Sequence, residues 1–255
     1  FIEGIFDLRD VVIPVVNLAR WMGITPPEGR EKDFRIIITE FNNVLIGFIV
    51  HEAKRIRRIN WGNIEPATFA SGSGTLEGSK ITGVTRIEGD NVLLILDLES
   101  VVQDLGLYEP DIDAIPHNLD TFSGIALILD DSATARKIVK EALSKMGFQV
   151  VEAIDGQEGL EKLDELYALY EDSISERLKL ILSDVEMPRM DGFHFAANVK
   201  EDGRFKNIPI IFNSSISDHF SEIRGKEAGA EAYLVKFDAS TFYDEVSRVV
   251  RAHMK

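Results

Sequence analysis

The spacing of hydrophobic and polar residues changes once along this chain, near residue 120. Before that point, short runs of β-branched and other apolar residues are bounded by Gly, Asn, Asp or Pro, a pattern typical of short strands joined by close turns. The clearest predicted strands are Val11–Val16, Phe34–Ile38, Val44–Val50 and Val92–Leu96. Predicted hairpin turns lie at Asn42-Asn43 and Gly89-Asp90-Asn91, and short helical turns at Leu18–Gly23 and Leu98–Leu105. Many short strands with close turns predict a small all-β barrel or sandwich.

From residue 123 onward, buried strand-like segments alternate with amphipathic helical ones. The predicted strands are Ile125–Leu129, Phe148–Ala153, Leu178–Ser183, Ile208–Phe212 and Ala232–Val235. Ser132 is expected to cap the first helix, which ends at Gly147. The second helix is long, and the stretch 164–179 is expected to extend it. Five strands and five helices in strict alternation predict an α/β domain with a doubly wound, five-stranded parallel sheet.

Between the two patterns, residues 106–122 are acidic, contain two prolines and show no period, which is typical of a linker. We therefore predict a β domain over residues 1–108, a linker over 109–122 and an α/β domain over 123–255. The chain begins with Phe1 inside a strand-like pattern. We expect it to be a fragment whose true start lies upstream, because its first residue is not Met. The family resemblance of this half, described below, implies that the missing part includes leading strands, without which a half-barrel would leave an unpaired edge.

Charge and composition narrow the classes of function. Residues 1–120 hold 11 basic and 19 acidic groups and residues 121–255 hold 17 and 24, so neither half has the basic excess that binds nucleic acid or anionic membranes. The absence of cysteine excludes disulfides, thiolate catalysis and cysteine-based zinc sites. No apolar run approaches the ~20 residues that span a bilayer and no signal peptide is apparent, so the cytoplasm is the expected location.

Four of the five predicted strands of the second half are followed directly by polar residues. They are Asp130-Asp131, Asp184, Asn213-Ser214 and Lys236. The carboxyl ends of parallel strands meet at one edge of the sheet, where ligands collect. Carboxylate oxygens suit Mg²⁺, and a carboxylate beside Mg²⁺ can attack a phosphoryl group to form an acyl phosphate. A pair of Asp residues alone often marks only a turn, and a single Lys is often only a surface charge. The order Asp-Asp, Asp, Ser, Lys over successive strand ends favours a site that binds magnesium and a phosphoryl group.

Four segments of the second half carry a family resemblance. They are Leu127–Ser132, Leu182–Gly192, Asn213-Ser214-Ser215 and Ala232–Lys236. The string Asp184-x-x-Met187-Pro188-x-Met190-Asp191-Gly192 is highly specific, and over residues 123–255 the chain resembles response-regulator receiver domains such as CheY. The resemblance implies that Asp184 accepts the phosphoryl group and that Lys236 binds its oxygens.

The same resemblance implies roles for the neighbouring residues. Asp131, Asp184 and the backbone carbonyl of Glu186 would bind Mg²⁺, with Asp130 acting through water. Ser214 occupies the hydroxyl switch position, and Tyr233 the aromatic position that rotates on activation. The sequence departs from the family after Lys236, where Phe237 replaces the usual proline; the Lys236 loop is therefore expected to be shaped differently.

The first half resembles CheW adaptor domains. Gly4-x-x-x-Leu8-Arg9 followed by Pro14-Val15-Val16-x-Leu18 matches their signature, and the segments 83–86 and 92–98 resemble their closing strands. The resemblance implies that Arg9 lies on a partner-facing surface. The alternative is that Arg9 is an ordinary solvated arginine at the end of a strand. The basic stretch Lys54–Arg58 is a solvated strand end or a docking site for an acidic partner.

A CheW-like half joined to a CheY-like half is the arrangement of CheV-type coupling proteins. The resemblance implies a chemotaxis adaptor that joins chemoreceptors to the histidine kinase CheA, and that is modulated by phosphorylation of Asp184 or acts as a phosphate sink. Such a protein is not a metabolic enzyme, since its receiver catalyses only its own phosphorylation and dephosphorylation. One alternative is a response regulator with an unrelated β ligand-binding or output domain. Another is a Mg²⁺ phosphohydrolase, which the Glu at position 186 disfavours, because an Asp-x-Asp arrangement is missing.

Overall fold

The computed structural model describes residues 1–25, 29, 33–41, 44–66, 81–87, 91–107, 120–215, 219–236 and 239–254. The described part of the first half contains seven strands and two short α-helices. They are β1 (Ile2–Leu8), β2 (Val11–Asn17), α1 (Leu18–Trp21), β3 (Arg35–Phe41), β4 (Val44–Val50), β5 (Glu65–Pro66), β6 (Ile81–Ile87), β7 (Asn91–Leu96) and α2 (Leu98–Asp104). A 3₁₀ turn at Trp61–Asn63 precedes β5. The prediction of an all-β first half is confirmed.

The strands of the first half form two sheets. The four-stranded sheet has the order β1-β2-β4-β3, in which β2 and β4 are parallel and the other neighbours are antiparallel. The three-stranded sheet has the antiparallel order β5-β6-β7. The inner strands bury Val16, Ile46 and Phe48 against Val101 and Val102 of α2. Helix α2 is therefore anchored in the core of the first half.

The described residues of the second half form five strands, five longer helices and one additional short helix. They are β8 (Ile125–Leu129), α3 (Ala133–Lys145), β9 (Gln149–Ala153), α4 (Gly156–Tyr170), α5 (Ile174–Arg177), β10 (Leu178–Ser183), α6 (Gly192–Glu201), β11 (Ile210–Ser214), α7 (His219–Glu227), β12 (Ala232–Val235) and α8 (Ala239–His253). The sheet order is β12-β11-β10-β8-β9, and all neighbours are parallel. The predicted doubly wound α/β fold is confirmed.

Both faces of this sheet are covered. Along β8, Leu127 and Leu129 pack into a core with Phe195 of α6, while Ala126 and Ile128 point into a second core that includes residues of α3 and α8. All five residues of β8 are buried. Because side chains alternate across a strand, one apolar run supplies two cores, which explains why the strand sequences are continuously hydrophobic.

The prediction that residues 164–179 extend the second helix is wrong beyond Tyr170. Glu171 has φ 46°, in the left-handed region that a right-handed helix does not admit. A 3₁₀ turn at Glu171–Ser173 and the separate helix α5 then lead into β10. Within the described ranges, no helix is both long and apolar enough to cross a membrane.

Several sequence predictions fall on residues outside the described ranges. Residues 108–119, most of the predicted linker, are among them, and so are Phe237 and the turn residues at 42–43 and 89–90. The strands that flank these two turns do pair antiparallel, as the predicted hairpins require. The expected effect of Phe237 on the Lys236 loop stays a prediction.

Candidate functional site

The parallel sheet brings the predicted polar residues to one edge. Two backbone hydrogen bonds join neighbouring strand ends there: Asp184 N–H donates to the Leu129 carbonyl at 2.7 Å, and Lys236 N–H donates to the Ser214 carbonyl at 3.0 Å. The side chains that follow β8, β10 and β12 are therefore held close together. We call Asp130, Asp131, Asp184 and Lys236 the strand-end site.

Three carboxylates meet in this site. Asp130, Asp131 and Asp184 each offer an oxygen atom, and these atoms lie within 4.8 Å of one another. Asp130 and Asp184 are buried and Asp131 is partly exposed. Local hydrogen bonds fix two of them: Asp130 Oδ1 accepts from Ser132 N–H at 2.9 Å, and Asp184 Oδ1 accepts from Val185 N–H at 2.6 Å. Converging carboxylate oxygens are the donor set that Mg²⁺ prefers, so the residues present fit this ion.

Lys236 is the cation at the centre of the site. Its side chain is 3% exposed, and its Nζ lies 2.9 Å from Asp130 Oδ2 and 2.9 Å from Asp184 Oδ2. Isolated buried charges are costly, so a lysine in this position needs carboxylate partners, and the carboxylates need it. The predicted grouping of Lys236 with the aspartates is the arrangement that the structure has.

The ionisation of the site reflects burial and crowding. Burial raises the pKa of Asp130 to about 7, because attraction to Lys236 offsets only part of that cost and Asp184 adds repulsion. Burial, together with the charges of Asp130 and Asp184, raises the pKa of Asp131 well above its ordinary value. Burial alone would lower the pKa of Lys236, but the surrounding carboxylates hold it well above its ordinary value. The site is therefore short of positive charge.

The remaining predicted residues lie around this edge. Ser214 is the last residue of β11 and is buried. Tyr233 is partly buried in β12, with its ring centroid 6.2 Å from that of Phe212. Glu186 follows Asp184 by two positions and has an exposed side chain. The switch roles of Ser214 and Tyr233, and metal binding by the Glu186 carbonyl, stay predictions.

The loop after Asp184 is held by contacts that the sequence did not predict. Arg189 Nε donates to Asp155 Oδ2 at 2.5 Å, and the fully buried Asp155 also caps α4. A Cβ atom at Gly192 would lie 2.1 Å from the Asp184 carbonyl oxygen, so this position requires glycine. Asp155 and Arg189 are 34 positions apart, so their pairing leaves no local pattern in the sequence. The one sign of it is an aspartate two residues after β9.

A second unpredicted group comes from the first half. Glu99 lies in the first turn of α2, and its Oε2 is 3.6 Å from Lys236 Nζ. Its Oε1 forms a hydrogen bond with the Ser215 hydroxyl. A carboxylate from the β half therefore reaches the strand-end site.

The predicted partner-facing residue lies elsewhere in the first half. Arg9 is exposed in the turn between β1 and β2 and has φ 52°. The neighbouring Asp10 is also left-handed, and its N–H donates to Asp7 Oδ1 at 3.0 Å. The basic stretch 54–58 is exposed and follows β4 without regular secondary structure. Binding of a partner by Arg9 stays a prediction.

Comparisons with known proteins cover both halves. One family model, described as a CheW-like domain, matches residues 1–106, and a second, described as a response regulator receiver domain, matches residues 126–246. The chain is similar to the chemotaxis protein CheV3 of Helicobacter pylori, with 53% identity over 250 residues that cover 98% of this chain and 80% of that protein. It is also similar to CheV1 of the same organism, with 26% identity over 100% of this chain and 80% of that protein. Chemotaxis protein CheY1 of H. pylori is 37% identical over 43% of this chain and 82% of that protein.

Proposed function

The chain belongs to the CheV family of chemotaxis coupling proteins, and we propose that it joins chemoreceptors to the histidine kinase CheA under the control of a phosphoryl group on Asp184. The CheW/CheV family couples chemoreceptors to this kinase. The first half matches the CheW-like model over residues 1–106, so the alternative of an unrelated β output domain is not supported. The proposed location is the cytoplasm.

The observation that carries the phosphorylation proposal is the position of Lys236 between two carboxylates. Its Nζ lies 2.9 Å from both Asp130 Oδ2 and Asp184 Oδ2, with Asp131 in the same cluster. An ammonium group held beside a carboxylate nucleophile can bind the oxygens of an incoming phosphoryl group. The buried Ser214 hydroxyl at the end of β11 is proposed to donate a further hydrogen bond to them.

The proposed step is transfer of a phosphoryl group to Asp184. A carboxylate oxygen of Asp184 attacks the phosphorus of a phosphorylated histidine, forming a P–O bond while the P–N bond breaks. The imidazole nitrogen keeps the electron pair of the broken bond and takes up a proton. Water later attacks the acyl phosphate, releasing inorganic phosphate and restoring the Asp184 carboxylate.

Asp130, Asp131, Asp184 and the backbone carbonyl of Glu186 are the residues proposed to hold Mg²⁺. The ion supplies positive charge that offsets the charge of the phosphoryl oxygens as the new bond forms. The chain's own contribution is to position the nucleophile and to pair Lys236 with the phosphoryl group. Tyr233, on the adjacent strand β12, is proposed to change orientation when Ser214 binds that group.

Coupling is proposed to use the surface of the CheW-like half. Arg9 stands on an exposed turn at one end of the β1–β2 pair, where it can contact an acidic surface of CheA or of a receptor. Phosphorylation of Asp184 would either change this coupling or remove phosphoryl groups from the kinase, so that the chain acts as a phosphate sink. Both outcomes require the same acceptor, Asp184.

Labelling with a small phosphodonor tests the acceptor. Incubation of the full chain with acetyl phosphate and Mg²⁺ should produce one base-labile acyl phosphate, which mass spectrometry of peptides places on Asp184. Asp184→Asn should abolish the label, because an amide is a poor nucleophile. EDTA should also suppress it.

Asp191→Asn is the matched control for that experiment. Asp191 lies in the same loop and caps α6 through a hydrogen bond from His194 N–H at 2.8 Å, a role that Asn can also fill. The control should be labelled like the unaltered chain. Equal labelling of Asp184→Asn, or a label on another carboxylate, would remove Asp184 from the proposed role.

A further inference from the structure

Helix α2 of the CheW-like domain lies against the phosphoacceptor edge of the receiver domain. Glu99 contacts Ser215 and Lys236, and the Ser100 hydroxyl lies 2.9 Å from the Thr134 hydroxyl in the first turn of α3. These contacts place the first turn of α2 beside the strand-end site. The site is therefore formed by the receiver but bordered by the other domain.

Glu99 and Lys236 form an ion pair that is too long to be a hydrogen bond. An ammonium group has three donors, and two of those on Lys236 reach Asp130 and Asp184 at 2.9 Å. Glu99 Oε2 is 3.6 Å from the same nitrogen, is buried and has no hydrogen-bond partner. A buried carboxylate oxygen without a hydrogen bond is unfavourable, so a better ligand for Lys236 can displace it.

A phosphoryl group on Asp184 would be such a ligand. It replaces the single negative charge of the Asp184 carboxylate with an acyl phosphate that carries up to about two, and it places three strong acceptor oxygens beside the atom that Lys236 already contacts. Glu99 would then be a carboxylate facing a phosphoryl group across one shared lysine. Asp97, which caps α2 and contributes repulsion to Asp131, adds a second acidic residue from the same helix end.

We propose that helix α2 occupies the phosphoacceptor face of the receiver in the unphosphorylated protein, with Glu99 holding the position beside Lys236 that the phosphoryl group takes. Phosphorylation of Asp184 expels Glu99 and releases α2, and docked α2 in turn slows phosphorylation. At equilibrium the coupling is reciprocal: docked α2 disfavours the phosphorylated state by the same free energy by which the phosphoryl group disfavours docking. The slower phosphorylation follows separately, from the position of α2 beside Asp184. This inference rests on the proposed role of Asp184.

The release would reach the adaptor surface through the core of the CheW-like domain. Val101 and Val102 of α2 pack with Trp21, Ile46 and Phe48, which belong to α1 and the four-stranded sheet. A change at the receiver edge is thereby linked by direct packing to the domain that is proposed to bind the kinase. Helix α2 therefore contacts both the receiver site and the core of the CheW-like domain, and it can transmit a change from one to the other.

A cysteine pair tests the docking, because the chain contains no cysteine of its own. Ser100→Cys with Thr134→Cys places two thiols where hydroxyls now lie 2.9 Å apart. The double variant of the chain should form an intramolecular disulfide on oxidation. In the oxidised form, labelling of Asp184 by acetyl phosphate and Mg²⁺ should be at least about tenfold slower than after reduction, because α2 can no longer leave.

Substitution of Glu99 separates the effect of its charge from steric blocking by the helix. Glu99→Gln should raise the labelling rate of the chain by about tenfold, and in the oxidised cysteine pair it should recover part of the lost rate. Asp104→Asn, at the exposed end of the same helix, is the charge-matched control and should leave the rate unchanged. Treatment with acetyl phosphate before oxidation should also slow disulfide formation, but not in Asp184→Asn.

The outcomes distinguish this inference from the proposed function. If the oxidised and reduced pair are labelled on Asp184 at the same rate, or if the pair does not cross-link, the docked helix is refuted while Asp184 remains the acceptor. If Glu99→Gln and Asp104→Asn are labelled alike, Glu99 does not compete with the phosphoryl group. If neither the unaltered chain nor the reduced pair is labelled on Asp184, the proposed function fails and the inference with it.

Discussion

The two domains bury their strands differently. In the receiver every residue of β8 and β11 is buried, and each strand lies between two layers of helices. In the CheW-like domain the edge strands expose large apolar side chains: Ile5 of β1 is 75% exposed and Ile37 of β3 is 45% exposed. The receiver thus completes its core with its own strands and helices, whereas the CheW-like domain exposes apolar side chains on both edge strands of its four-stranded sheet.

The same contrast holds for charge. The receiver concentrates three carboxylates around one buried lysine, an arrangement that needs each member to be in place. Arg9 of the CheW-like domain is exposed on a turn. The chemistry of the receiver therefore depends on internal geometry, while the role of the adaptor depends on surfaces that single substitutions can alter without unfolding the domain.

The largest expected difference between the domains is in the cost of removing an apolar side chain. Leu127→Ala should lower the free energy of unfolding of the receiver by about 4 kcal/mol, since it leaves a cavity in a fully buried strand. Ile5→Ala should change stability by less than about 0.5 kcal/mol, because its side chain is mostly in solvent. Urea denaturation of the full chain checks both, and equal costs would contradict the contrast in burial.

The next largest effect concerns the buried cation. Lys236→Met keeps the apolar stem and removes the charge, so Asp130 and Asp184 lose their shared partner. At pH 8 and without metal we expect a loss of about 3 kcal/mol in receiver stability. Lys140→Met, which removes one of the two cations paired with Glu152 on the surface, should cost below about 1 kcal/mol. Similar melting temperatures for the two variants would show that Lys236 does not hold the carboxylates together.

A smaller and pH-dependent effect on the free energy of unfolding is expected when Asp131 is replaced. Its pKa in the folded protein is raised, so the folded state holds this proton more tightly than the unfolded chain does. The stability that it contributes is complete below pH 3.8 and is lost as pH rises through the folded value. In EDTA at pH 8, Asp131→Asn should therefore be more stable than the unaltered chain by about 1 kcal/mol, with little difference near pH 4.

The stability of the receiver is also expected to depend on Mg²⁺. Millimolar Mg²⁺ should raise the melting temperature of the unaltered receiver, since it binds the folded site and not the unfolded chain. Asp131→Asn should reduce this response. Thermal melts in EDTA and in Mg²⁺ measure both. If melting is indifferent to Mg²⁺ and Asp131→Asn destabilises the protein in EDTA, the three carboxylates do not form a common site.

The smallest effect on stability is expected at Arg9. Arg9→Glu should change the free energy of unfolding by less than about 0.5 kcal/mol, because the side chain is exposed. It should nevertheless weaken binding of the full chain to CheA or to a receptor fragment by about tenfold through like-charge repulsion. Lys137→Glu, exposed on α3, is the charge-matched control. Unchanged binding in titration calorimetry would remove Arg9 from the partner surface.

The fold and the strand-end site could be predicted because both follow from local patterns. Continuous apolar runs ending in Asp130, Asp184 and Lys236 predict buried parallel strands, and such strands must end at the same edge. The break at Glu171 was not predictable in this way, because a non-glycine residue with φ 46° carries no sequence signature. Glu99 was missed for another reason: it lies 116 positions before Ser215 and reaches the site through packing of two domains.

The central claim is that this CheV-family chain receives a phosphoryl group from the kinase that it couples, on Asp184. The most direct measurement is transfer of radiolabelled phosphate from autophosphorylated CheA to the full chain in Mg²⁺, followed on a gel over time. Label should leave the kinase and appear on this chain; Asp184→Asn should not receive it, and Asp191→Asn should. Label that remains on the kinase would show that this chain is not its phosphoacceptor, and label that moves equally to Asp184→Asn would show that Asp184 is not the acceptor residue.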